Sequence, residues 1–575
     1  MKRFITAFMV FNFIIVSLSV MTVKAVGPPA PLAPVPKKAD IDILKIGIVG
    51  LIHFGLYTFN EGSSDGSQDP NIFQPMELDC NQWVAAFKGG CIELPILVTK
   101  HGEGFCLWLT STTHYSVGDS ITFGRRDVCK EFAEACDRGG VKHGFYMNTQ
   151  DWHLNIEGKW TKEAGFNELM AQRWTELLTK YGTVTEAWAG DGNPPAWVDL
   201  ILYQNTIRRL QPDCRIFSDN GPDLRWSGNE EGFGWDPHWS MINDSCIKSW
   251  MSHKNGEVNG NSWCPAECDS PLSRFWQWIQ GDVPISLREL TSCYYDSVGN
   301  GCIMDLGVPP DNRGLILDSN VKQLKKFGDF QRYSFKVNYA LGATATATQT
   351  RDTQYSAANV VDGDFNTYWA PPDGVTGGVS IELDLGSPVK FDVLMVQEYI
   401  ELGQRVTSYM IEKYNKGIWS KYAIKQSIGF KKLIRIPGTT ASKIRLTINS
   451  TRADGAVPCI REIGVYKEIK VPGKRVFSTA NPASLAADGA STALITAELR
   501  NSRESILKTA TNAVTFSLFG NGTLIGPTVK NAVNGVATVV LQTTKNSAGR
   551  VVVVQTFSTG FSPYAVEIGV TSQTK

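Results

Sequence analysis

Between Ile41 and residue 335, short apolar, β-branched runs alternate with amphipathic segments, and few folds accept that alternation over so long a stretch. Ile46 to Phe54, Ile92 to Lys100, Val141 to Met147, Val184 to Trp188 and Arg215 to Ser218 read as parallel strands buried on both faces. Asn81 to Lys88, Arg125 to Arg138, Phe166 to Tyr181 and Pro195 to Leu210 carry the 3.6-residue period of helices between them. Repeated βα units of this extent predict a (β/α)8 barrel over residues 41–337. No G-x-G-x-x-G run follows any of the strands, which argues against an open dinucleotide-binding sheet.

Beyond Asn338 the pattern changes to short strands of alternating polarity. Ile381 to Leu385 and Lys443 to Thr447 alternate with period two, and residues 340–468 read as one β-sandwich. Val471-Pro472-Gly473-Lys474 is a linker, and residues 474–575 read as a second, smaller sandwich. The predicted fold class is thus multi-domain, a (β/α)8 barrel followed by two β-sandwich domains. At the other end, Lys2 and Arg3 precede an apolar run to Val20 and a Val23-Lys24-Ala25 cleavage pattern, so residues 1–25 read as a signal peptide. Five prolines between Pro28 and Pro36 make residues 26–40 a stiff lead-in. The expected location is extracytoplasmic, secreted or periplasmic, with no membrane span in the mature chain.

Composition narrows the function. The 56 basic and 56 acidic side chains cancel, and no Lys/Arg-rich run occurs, so nucleic acid is not an expected partner. All seven histidines fall between His53 and His253, and fourteen of the sixteen tryptophans precede residue 280, so chemistry belongs to the barrel.

Reacting groups in such barrels follow the C-terminal ends of strands. In order these are His53; His101 and Glu103; Asp151, Trp152 and His153; Asp191; and Asp219. Imidazoles, carboxylates and tryptophans at one mouth suit sugar recognition and glycosidic cleavage: aromatic faces take the apolar side of a pyranose, and a carboxyl pair does acid and nucleophilic work. Each residue taken alone has a structural reading, a hydrogen-bonding scaffold His or an Asp-Gly turn. No H-E-x-x-H or H-x-H spacing supports a barrel metal, and Gly62-Ser63-Ser64-Asp65-Gly66 lacks the strand that a serine nucleophile elbow requires. No cofactor for catalysis is expected.

The runs His53-Phe54-Gly55, Lys100-His101-Gly102-Glu103-Gly104-Phe105-Cys106-Leu107-Trp108, Phe217-Ser218-Asp219-Asn220-Gly221-Pro222-Asp223-Leu224-Arg225-Trp226 and Trp263-Cys264-Pro265-Ala266-Glu267-Cys268-Asp269 resemble glycoside hydrolase family 29, the retaining α-L-fucosidases. The likeness spans roughly residues 45 to 335 by motif order and is greatest to the α-1,3/1,4-fucosidase branch. It implies Glu230 as acid/base, in Arg225-Trp226-Ser227-Gly228-Asn229-Glu230, and Asp191 as nucleophile. In Trp188-Ala189-Gly190-Asp191-Gly192 that Asp stands one residue later than in the family's Trp-x-Asp-Gly, and a bulge at Gly190 would absorb the slip. The resemblance further implies that His53, His101, Trp108 and His153 bind fucose, with Glu267 and Trp276 on the rim. Gly102 stands where the family has a second histidine. The implied partner is a fucosylated oligosaccharide or glycan; the alternative is a catalytically impaired relative that binds carbohydrate.

Residues 357–370, with Asp362-Gly363-Asp364-Phe365-Asn366-Thr367-Tyr368-Trp369, resemble a discoidin-type sandwich. That likeness implies a structural calcium at Asp362, Thr367 and Glu462. Gln397 to Ile400 and Gly403-Gln404-Arg405 resemble a segment that docks such a sandwich on the barrel. The last module resembles immunoglobulin-like domains trailing bacterial glycosidases, for which a spacer role is expected.

Overall fold

The computed structural model describes residues 26–571 except 61, 63, 191–193, 220, 244–253, 453–455, 472, 502–503 and 548–550. The signal-peptide and Asp191 expectations therefore lie outside the described residues. Eight parallel strands close the predicted barrel: β1 (Ile48–Ile52), β2 (Leu94–Lys100), β3 (His143–Met147), β4 (Val184–Trp188), β5 (Arg215–Ser218), β6 (Leu224–Trp226), β9 (Ala266–Pro271) and β10 (Ile303–Gly307). β7 (Met241–Ile242) and β8 (Ser262–Trp263) form a small antiparallel hairpin in the connection from β6 to β9.

Helices cover most of the barrel. α1 (Lys38–Ile46) leads into β1, and α2 (Cys80–Gly89), α3 (Val128–Gly139), α5 (Phe166–Lys180) and α6 (Leu200–Leu210) follow β1 to β4. A short α4 (Trp152–Ile156) precedes α5, while α7 (Leu287–Asp296) and α8 (Asp318–Ser334) follow β9 and β10. Asp side chains cap several starts, Asp127 accepting from Lys130 N at 2.9 Å and Asp199 from Leu202 N at 2.9 Å.

Two crossovers depart from the βα repeat: among the described residues no helix lies between β5 and β6 or between β6 and β9. A parallel neighbour normally needs a long return path, but β6 starts level with the end of β5, Leu224 pairing Phe217 and Arg225 pairing Ser218. The chain only steps sideways, so nothing has to cover the outside of these strands from within the crossover.

The second domain fills that place. Its strands include two of twenty residues, Val379–Glu398 and Lys432–Thr451, paired antiparallel with two register shifts. The Gln404 amide, fully buried, donates Nε2 to His238 O at 3.0 Å and accepts from Ser240 N at 2.9 Å, mimicking a strand edge against the β6–β9 connection. Glu398 secures the docking loops by accepting from Arg405 N, Val406 N and Gly429 N at 2.8 to 2.9 Å. Lys432 bridges to Asp236 at 2.7 Å, and Ile400 and Phe430 share a core with Trp239 and Met241.

The proline lead-in is laid along this sandwich, Leu32 N bonding Leu402 O at 2.8 Å and Arg405 Nη2 bonding Ala30 O at 2.6 Å. The last domain has two sheets, one of four strands and one of five, around Val476, Ile495, Phe516, Val539 and Ile568. It packs directly on the barrel: Val283 shares a core with Val553 and Ala565. That contact replaces the expected spacer role.

Gln404→Ala removes both amide bonds and leaves a buried N–H and a buried carbonyl unpaired. Chemical denaturation should show a loss of about 2 to 4 kcal/mol.

Candidate active site

Strand ends bring an arc of rings to the barrel mouth. His53 follows β1 and His101 follows β2, their centroids 5.5 Å apart. The arc continues from His101 to Tyr146 at 6.2 Å, from Tyr146 to Trp188 at 5.4 Å, and to Phe217 stacked on Trp188 at 3.8 Å. On the other side Trp276, from the loop after β9, lies 5.4 Å from His53 and donates its indole N–H to Glu230 Oε2 at 3.0 Å. His53, His101, Trp276 and the exposed Glu230 therefore border one mouth. Gly55 permits the approach of Tyr57 to His101, since a β-carbon there would sit 2.9 Å from the Tyr57 ring.

Both imidazoles are held neutral. Burial, then the charge of His101, keeps His53 well below the ordinary histidine range; burial, then Lys100, brings His101 down to about 4. Glu103 lies 3.8 Å from His101 and is pushed up to about 8 by burial. The two shifts oppose an ion pair at neutral pH, and the distance is too long for a hydrogen bond, so we read the contact as one between neutral groups. A neutral imidazole offers one donor and one acceptor, which suits hydroxyls. His53 Nδ1 is buried without a hydrogen-bond partner.

β4 leaves its ladder by one residue. Trp188 pairs Phe217 and Ala189 N bonds Phe217 O, after which a regular parallel ladder would carry Asp219 N to Ala189 O. Asp219 N instead bonds Gly190 O at 3.2 Å, so one extra residue stands on the β4 side. Gly190 also lies where a β-carbon would come within 2.5 Å of Ser218 Cβ. Gly190 O thus takes the place that a regular ladder would give Ala189 O, just before residue 191.

Comparison with known proteins identifies the family. Residues 57–334 match the alpha-L-fucosidase family profile and residues 344–463 the F5/8 type C domain, the discoidin-type module. An alpha-L-fucosidase 1 of Arabidopsis thaliana is 33% identical over 456 residues, covering 76% of this chain and 89% of that protein. The chain belongs to the α-L-fucosidase family. A Ruminococcus gnavus family 29 (GH29) fucosidase solved in complex with fucose is 29% identical at a TM-score of 0.72, covering 77% of this chain and 97% of that one. A family 29 member from an unknown rumen bacterium, 23% identical, shares the fold over 90% of this chain and 97% of its own, with a TM-score of 0.67.

Within this fucosidase fold, three expected sugar contacts stand elsewhere. Trp108 is fully buried in the layer between barrel and helices, its indole N–H bonding Glu176 Oε2 of α5 at 2.7 Å. The loop after β2 folds outward there, Leu107 N bonding Thr99 O at 2.9 Å. His153 lies on α4, stacked on Tyr115 at 3.9 Å with Nδ1 on Gly66 O at 2.8 Å, because Asp151 caps that helix and is itself held by Arg173 at 2.7 Å. Glu267 is not on the rim: it is fully buried inside the barrel on β9.

Glu267 belongs to an acidic interior that sequence reading missed. Glu186 of β4 and Asp305 of β10 are also fully buried, and Trp188 Nε1 donates to Glu186 Oε1 at 2.6 Å. Burial pushes Glu186 up to about 8; burial and then the neighbouring carboxylates raise Glu267 and Asp305 well above the usual carboxylate range. Their signal was a Glu or Asp inside an apolar strand run. Trp152 was read as a strand-end residue, and its ring lies 3.0 Å from where a Gly102 β-carbon would be, taking the room left by the missing side chain.

The raised groups set a pH dependence. Folded Glu103 and Glu186 titrate near 8 against an ordinary value of 4.5, so between these the folded state holds protons that the unfolded state has lost. Stability from these groups is lost as pH rises through the folded values. From about pH 7.5 to 8 the buried histidines, whose ordinary value is 6.5, are largely neutral in both states and drop out. Unfolding free energy should fall across that window, by at most about 1.4 kcal/mol per pH unit per group, and Glu103→Gln should flatten the fall.

Proposed function

We propose that this fucosidase releases terminal α-L-fucose, α-1,3/1,4-linked, from oligosaccharides or glycoconjugates by a retaining double displacement. The observation that carries the reading is Glu230 held by Trp276 at a mouth bordered by the neutral His53 and His101. Trp276 occupies one oxygen of Glu230 and leaves the other to carry the acid proton.

Asp191 attacks the anomeric carbon while Glu230 gives its proton to the departing oxygen, so the glycosidic bond breaks as an ester to Asp191 forms. Water then attacks the same carbon, its proton passing to the Glu230 carboxylate, and the Asp191 carboxylate leaves with configuration retained. Such a mechanism requires the two carboxyls about 5 to 5.5 Å apart. Neutral imidazoles at His53 and His101 bind sugar hydroxyls without drawing a counter-ion. The basic N-terminus and apolar run to Val20 support export. The carbohydrate-binding alternative draws on Gly102, where an indole replaces a polar hydroxyl contact.

Purified protein should free L-fucose from an α-1,4-fucosylated trisaccharide, with the α-anomer appearing first by NMR. Glu230→Gln should cost about 10²- to 10⁴-fold in kcat for this substrate, and Asp191→Asn should abolish turnover. Binding of the trisaccharide with no release by the wild type would favour the binding relative.

We also propose a structural calcium in the second domain. Thr367 Oγ1 donates to Asp362 Oδ2 at 2.7 Å, and Glu462, raised to about 7 by burial and then by Asp362, faces the same carboxylate. Two neighbouring carboxyl groups with a hydroxyl beside them fit a hard cation, which would supply charge neutralisation only. Among the described residues no cluster of three or more His, Cys, Asp or Glu fits a metal, so backbone oxygens would complete the shell. Calcium at about 1 mM, in the range of weak extracellular modules, should raise the Tm, and Asp362→Ala should remove that rise.

A further inference from the structure

The last domain does more than pack beside the barrel: it closes one wall of a cavity whose other wall is barrel loops that also reach the mouth. The cavity measures about 230 Å³. Barrel residues Phe59, Trp278, Gln280 and Asn312 line one side, and Phe519 with Val553 of the last domain line the other. Two loops connect it to the fucose pocket. Trp278 lies two residues beyond Trp276, which contacts His53 and Glu230, and Phe59 ends the turn Leu56–Phe59, whose Tyr57 packs on His101 at 5.6 Å.

The wall is fixed in place. Gly281, at φ +89°, lies so close under Phe519 that a β-carbon there would come within 2.1 Å of the ring. Arg274 stacks its guanidinium 3.7 Å from the Tyr564 ring, and Arg475 of the last domain bonds both Glu289 of α7 and Glu504. An edge held by a shared apolar core and ion pairs does not swing like a tethered spacer.

The lining chemistry selects an occupant. Half-buried aromatic faces from both domains stand with exposed amides, and among the described residues the lining holds no ionisable group. Aromatic rings take the C–H face of a pyranose, amides pair with its hydroxyls, and the absence of charge there favours a neutral sugar over a sialylated or sulfated one. The volume suits one ring, below the range of pockets for larger ligands.

We propose that this cavity is an aglycone subsite, built jointly by the barrel and the last domain, that holds a neutral sugar of the chain from which fucose is cleaved. The proposal rests on the fucosidase reading above and adds a substrate class to it: fucose carried on a neutral oligosaccharide rather than on a small alcohol.

The test compares two substrates in the full-length protein. One is the α-1,4-fucosylated trisaccharide; the other is an aryl α-L-fucoside, which has no sugar beyond the fucose. Phe519→Ala should raise KM for the trisaccharide about tenfold, the loss of one aromatic stacking contact, and leave kcat/KM for the aryl fucoside within twofold. Asn312→Ala and Gln280→Ala, at exposed positions, should act in the same direction with the Tm unchanged, which keeps the test open should Phe519→Ala fold poorly.

Calorimetry with the disaccharide left after fucose removal reads the subsite without turnover. Binding by the wild type that is weakened in Asn312→Ala supports the subsite even if no fucose is released, an outcome that would refute the fucosidase reading alone. Equal kinetics of all variants on both substrates, or no disaccharide binding by an active wild type, would overturn the subsite and leave the fucosidase reading intact.

Discussion

A closed parallel barrel must have the outside of every strand covered, and here the chain provides helices for only part of the circle. β5 and β6 are joined by a sideways step, and the β6–β9 connection carries only a small hairpin. The second domain supplies the missing cover through Gln404, Glu398 and Lys432. Glu230 follows β6 in the connection whose later residues, Asp236 to Ser240, the sandwich holds. Removing the sandwich would expose apolar surface at Trp239 and Met241.

Desolvation governs the electrostatics of the barrel. Burial is the largest cause of the rise at Glu267 and Asp305, followed by neighbouring carboxylates. Carboxyls kept protonated at Glu103, Glu186, Glu267 and Asp305 and imidazoles kept neutral at His53 and His101 leave the inside of the barrel poor in charge. A site so arranged binds a neutral sugar through hydroxyl hydrogen bonds and aromatic faces, and reserves ionisation for the groups that react.

The two sandwich domains meet the barrel by different routes. The barrel contributes the ring arc, the discoidin-type sandwich buttresses the β6 side, and the last domain meets the rim near Trp278. Even the proline lead-in is used as a strap on the sandwich through Leu32 and Ala30. The stiffness of such a segment limits the entropy lost when it is laid down.

Much of this was legible in the residues. Buried-strand runs and helical periods located β4 and β5 to the residue and the barrel as a whole, because those patterns follow from which faces must avoid water. His53 and His101 were named from strand ends and Trp276 and Glu230 from ordered motifs, and the structure brings the four together. Trp108, His153 and Glu267 were misplaced because a position in a motif does not say which way a side chain points. That depends on where the β2 loop turns, on the cap that Asp151 provides, and on which face of β9 looks inward. The shared Glu186–Glu267–Asp305 interior and the Phe519 wall join residues from separate strands and domains, and such long-range contacts exist only once the barrel closes and the sandwiches dock.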